Sequence, residues 1–219
     1  MPKKKSKKKS VGHMKIEMVS DRVFHVSFKT QREMAETFLR FQEHYESPKF
    51  KGQVFTLGQF KEWYRKERGR FTYYSDWGGF NIPSYVLEPF QMGLFDPLSR
   101  AERLFVDAFK KFRRPYYIIG TAEKIGTATF NHELAHAYYA LNKSYRARVK
   151  KILRDTCKGV GKIGKVLKKH GYCDDVLTDE VHAYLMFDTG LLTMWGLDVG
   201  KYRKTKKLLM ENFKKINGE

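Results

Sequence analysis

Asn131-His132-Glu133-Leu134-Ala135-His136-Ala137 is the stretch on which the reading of this chain turns. It spells H-E-x-x-H and predicts about a turn and a half of helix. Residues four apart lie one above the other on the same helical face, so His132 and His136 can reach one metal ion together. Glu133 follows the first histidine directly and can point into the space beside that metal, where the general base for a water belongs. In a chain with 7 His among 219 residues, chance placement would produce this pattern in about one case in seventy.

Outward from the motif, residues 115–122 read as a β-type run just before the helix, and residues 137–141 extend the helix beyond it. Residues 143–155 predict a basic helix with Tyr145, Val149, Ile152 and Leu153 turned to the body. Residues 158–169 place Gly159, Gly161 and Gly164 among lysines. They lack the G-x-x-x-x-G-K-[ST] pattern of a phosphate cradle and predict a turn or connection. Thr178 is the expected N-cap of a helix running to Met186, and residues 199–213 predict a closing basic helix.

Upstream, alternation over residues 16–28 predicts a small hairpin, and Thr30 followed by Glu33 marks a helix that ends near Ser47-Pro48. A second helix is expected from Thr56 to Arg68, stopped by Gly69. Residues 71–83 read as strand, glycine turn and extended loop, and Pro97 is expected to open a third helix.

Composition bounds the partners. The formal charge is +19, with Lys3, Lys4, Lys5, Lys7, Lys8 and Lys9 gathered at the start. The body remains basic without them, which favours contact with nucleic acid or another polyanion. Residues 1–13 are expected to be a disordered basic tail, and Gly12-His13-Met14 resembles the junction left by an expression tag. Read as native, the lysine run is a nucleic-acid tail or nuclear-import patch. Cys157 and Cys173 predict free thiols, and no apolar run approaches the ~18 residues of a membrane span. The expectation is a cytoplasmic protein with residues 14–96 as an N-terminal α/β lobe and 97–219 as the catalytic region, together one compact unit.

A catalytic zinc takes three protein ligands, so the motif requires a third donor. Asp179, Glu180, His182 and His170 are the candidates. The metzincin pattern, with a histidine six residues past His136, fails because that position is Asn142. His132-Glu133-Leu134-Ala135-His136 followed by Asp179-Glu180-Val181-His182-Ala183-Tyr184 resembles the gluzincin type of zinc metallopeptidase.

That resemblance implies an α+β fold, a mainly helical zincin-like domain with a small β-sheet next to the active-site helix. It also implies Zn2+ held by His132, His136 and Glu180, with Glu133 as general base in peptide-bond hydrolysis of a protein or peptide substrate. The strand Tyr116, Tyr117, Ile118, Ile119, Gly120, Thr121 and Ala122 would take the substrate by strand addition. The chain departs from thermolysin-like members in carrying Tyr184 where an aspartate four residues past the ligand glutamate orients a histidine. The phenol of Tyr184 can instead serve the developing oxyanion, and Asp179, Asp175 or a backbone carbonyl can back the histidines. Two other readings stay open: a nucleic-acid-associated protein, including a DNA-linked SprT-like protease with a third histidine, and a regulator on which the metal is structural or vestigial.

Overall fold

The computed structural model describes residues 9–218, the side chain of Lys9 excepted, and the chain divides into two compact units at Lys124/Ile125. The first is α+β. Its strands are β1 (Lys9–Val11), β2 (Met14–Ser20) and β3 (Val23–Ser27), followed by helices α1 (Gln31–Glu46), α2 (Leu57–Arg68) and α3 (Tyr73–Asp76). Strand β4 (Gly79–Pro83), a 3-10 turn over Ser84–Leu87, α4 (Glu88–Gln91), α5 (Arg100–Phe109) and β5 (Tyr117–Thr121) complete it. The strands form one mixed sheet in the order β1-β2-β3-β5-β4, in which only the β3–β5 pair is parallel.

The expected hairpin is present as β2 and β3. Thr30 caps α1 by accepting from the Glu33 amide, and Thr56 with Gln59 forms a capping box on α2 that Gly69 ends in a left-handed conformation. These local signals hold because each satisfies orphan amides of a helix end. Others were overridden. Ser99 and Glu102, not Pro97, start α5 through a second capping box. Residues 71–83 hold a short helix and an edge strand, with Tyr73 buried against Phe60. The tail expectation fails over residues 9–13: β1 pairs with β2, Gly12 turns the chain at positive φ and Met14 is fully buried. For residues 1–8 it lies outside the described residues.

The core between sheet and helices is largely aromatic. Phe38 of α1 stacks on Phe80 at 5.5 Å and meets Phe105 of α5 edge-on at 4.9 Å. A Cβ at Gly120 would collide with the Phe38 ring, so β5 needs glycine there for α1 to lie on the sheet. Each buried phenylalanine contributes about 1.5–3 kcal/mol of transfer free energy. These contacts also move the domain boundary. Residues 97–124 belong to the first unit because α5 packs on α1 and β5 is bonded to β3 and β4.

The second unit is helical: α6 (Ala128–Leu141), α7 (Lys143–Cys157), α8 (Gly161–Lys169), α9 (Leu177–Phe187), α10 (Thr189–Met194), a 3-10 turn over Val199–Tyr202 and α11 (Arg203–Asn217). Residues 161–169, expected as a connection, are helix because Ile163, Gly164 and Leu167 share a buried face. Thr127 caps α6, and Asn142 ends it while accepting from Tyr145 to start α7. Thr178 does not cap α9; the helix begins at Leu177, and Val176 precedes it without a side-chain cap. Among the described residues no helix is long and apolar enough to cross a membrane, and both cysteines are free thiols.

Candidate metal centre

Helices α6 and α9 pack on each other, with Ala135, Ala137, Val181 and Ala183 fully buried. Small residues allow close approach of the two backbones, which brings the polar face of each helix to the same place. The ligand atoms of His132, His136 and Glu180 lie within 4.8 Å of one another. The two Nε2 atoms are 3.0 Å apart, and His136 Nε2 is 3.8 Å from Glu180 Oε1. Donors around a tetrahedral zinc at about 2.0–2.1 Å stand about 3.4 Å from each other. Two imidazoles and one carboxylate within this reach could hold a metal ion.

Each histidine is held from behind. His132 Nδ1 lies 2.5 Å from Asp188 Oδ2, and His136 Nδ1 lies 2.9 Å from Asp179 Oδ1. A carboxylate on Nδ1 fixes the tautomer that leaves Nε2 available to a metal and makes the ring a better donor. Burial pulls the pKa of His136 down, but the carboxylates of Asp179 and Glu180, helped by Glu133, more than offset it and hold it well above the usual histidine range. Burial raises the pKa of Glu180, an effect the two histidines oppose. The pocket thus stabilises positive charge at the point where the Nε2 atoms meet.

Glu133 sits on α6 beside His132 and is 9% exposed. The Tyr184 ring stands edge-on to His132 at 5.1 Å, and its hydroxyl is 2.8 Å from that of Tyr172. Burial pushes the Tyr184 phenol up to about 12, further from neutral pH than an ordinary phenol.

The remaining candidates fall elsewhere. Asp179 backs His136 instead of joining the ligand set. His182 is fully buried, with Nδ1–H donating to the Asp179 carbonyl and its ring stacked on Tyr139 at 5.2 Å. Burial lowers its pKa to about 4. His170 is exposed and stacks on Trp195 at 4.0 Å. Neither imidazole joins the cluster. The substrate-strand expectation for residues 116–122 is overturned within the first unit: both hydrogen-bonding edges of β5 are taken, and residues 117–121 are buried throughout. Strand addition needs a sheet edge, and β5 has none to offer.

Asp188 and Tyr172 were missed in the sequence. Asp188 had a findable signal, since Glu180, Tyr184 and Asp188 form an i, i+4, i+8 row along one helix side. Tyr172 lies in the segment between α8 and α9, and nothing in its neighbourhood marks it.

No family model matches the chain, and no curated protein or solved structure matches it either.

Proposed function

We propose that the chain is a zinc-dependent metallopeptidase of the gluzincin type. The observation that carries this reading is the convergence of His132, His136 and Glu180, with Asp188 and Asp179 locking the two imidazoles. Zinc bound there supplies a Lewis acid that brings the pKa of water to about 7 and polarises a carbonyl. Glu133 takes the proton of the attacking water and returns it to the leaving amine. Tyr184, a protonated phenol held by Tyr172, donates to the oxygen on which negative charge develops.

Elemental analysis of the purified protein should find one zinc per chain, and the Glu180→Ala protein should lose it. Full zinc in Glu180→Ala would remove Glu180 from the ligand set and with it the gluzincin reading. Zinc-loaded wild type that leaves a quenched peptide library uncut would refute the peptidase assignment.

A further inference from the structure

We infer that helices α7 and α11 together form a docking face for the phosphate backbone of duplex nucleic acid. The two helices pack side by side. Thr205 at the start of α11 donates to Thr156 near the end of α7 at 2.8 Å. At the other end, Tyr145 of α7 and Phe213 of α11 both pack on Tyr138, with ring centroids 6.0 and 5.7 Å away. The pair is therefore antiparallel. Each helix is 15 residues long, which gives a face about 22 Å in length.

That face is cationic by construction. On α7, Tyr145, Val149 and Leu153 are buried, while Lys143, Lys150 and Arg154 recur at helical spacing away from that stripe and are exposed. On α11, Thr205, Leu209 and Phe213 are buried, while Arg203, Lys207 and Lys214 are exposed. Asp155 and Glu211 are the only acids of the two helices. Asp155 is engaged by Lys151 at 2.6 Å and by Arg154 at 3.2 Å. Among the described residues, Lys143, Lys150, Arg203, Lys207 and Lys214 have no ion-pair partner. Unneutralised cations held on a rigid scaffold at this density attract a polyanion, whose binding releases counterions.

The choice of polyanion follows from what the face lacks. Single strands are held by stacking bases on exposed aromatics, and the only aromatics of these helices, Tyr145 and Phe213, are buried. Membrane-surface helices insert an apolar side, and neither helix exposes a large hydrophobic residue. Phosphates of a duplex, which present charge without requiring stacking or insertion, fit what remains. None of these cations belongs to the metal cluster, so the inference stands apart from the peptidase reading.

The test is anisotropy of a labelled DNA duplex of about 20 base pairs, longer than the face itself, titrated with the full chain across a salt series. A face variant, Lys150→Gln with Arg154→Gln, Lys207→Gln and Lys214→Gln, is compared with a control that removes the same charge from α2, Lys61→Gln with Arg65→Gln, Lys66→Gln and Arg68→Gln. The face variant should bind about ten- to hundredfold more weakly at about 0.1 M salt, with the slope of log K on log salt reduced by about three to four; the control should stay within about threefold of wild type. Glu180→Ala should bind as wild type does, and weakened binding there would tie the effect to the metal site and overturn the inference. Equal losses in the face and control variants would also overturn it, as would tighter binding to oligothymidine, tighter binding to phosphatidylserine–phosphatidylcholine vesicles, or no duplex binding by wild type.

Discussion

Arg40 and Glu102 in the first unit are a buried pair of a base and a carboxylate, and buried His136 with part-buried Glu180 in the second is another, yet they are finished differently. Arg40 donates through Nε and Nη2 to both oxygens of Glu102, at 2.7 and 2.6 Å, and through Nη1 and Nη2 to the carbonyls of Phe95 and Pro97. The guanidinium fork matches the carboxylate and the cluster closes on itself. His136 Nε2 stands 3.8 Å from Glu180 Oε1, too far for a hydrogen bond, and 3.0 Å from another imidazole nitrogen. His136 and His132 meet through a nitrogen–nitrogen hydrogen bond, while the Glu180 carboxylate stands off from both within the same 4.8 Å cluster. A closed pair pins structure, whereas an unmatched one leaves donor atoms that could hold a metal ion.

The comparison breaks first at Glu133. Glu133→Gln should leave zinc content unchanged while hydrolysis falls about 10²- to 10⁴-fold; retained turnover in a clean preparation would place the base elsewhere. Next is the closed pair. Glu102→Ala leaves a buried guanidinium unmatched and should cost about 3–5 kcal/mol in denaturant unfolding, with no dependence on added zinc. A zinc-dependent loss there would show that the two clusters are not separate devices.

A second contrast lies between histidines. His136 has carboxylates to oppose its burial, whereas His25 on β3 is lowered to about 4 by burial, with Glu17 opposing only in part. A histidine depressed in the folded state contributes stability above its unfolded pKa and loses it as the pH falls. Between about 6.5 and 4 the unfolded chain takes up a proton that the fold refuses, so this one group should cost up to about 3 kcal/mol on acidification. Equilibrium unfolding across that window measures it, and the acid limb should flatten in His25→Gln. An unchanged limb would place the acid sensitivity in other groups. The smallest effect is expected at Asp188→Asn, which keeps the shape behind His132 and removes the charge. Zinc affinity should fall about 10- to 100-fold, and chelator competition showing wild-type affinity would make Asp188 a bystander.

Much of this was legible locally. The caps at Thr30 and Thr56, the stop at Gly69 and the β2–β3 hairpin are short-range chemistry and appear where the residues place them. The failures share one cause. Residues 161–169 have the glycines of a loop, but a shared apolar face pays for their entropy as a helix. Residues 116–122 have the look of a rim strand, but β3 and β4, strands from distant sequence positions, flank residues 117–121 on both sides.

By itself the sequence determined that His132, Glu133 and His136 share one helical segment, because the i, i+4 rule requires nothing beyond the helix. It also narrowed the third donor to a handful of residues. Only the tertiary structure decided among them. The packing of α6 on α9 turns Glu180 toward the histidines, sets Asp179 and Asp188 behind them and closes His182 among Tyr139 and Tyr145. A ligand set needs positions in three dimensions, and separations of more than forty residues acquire those only when the helices that carry them pack.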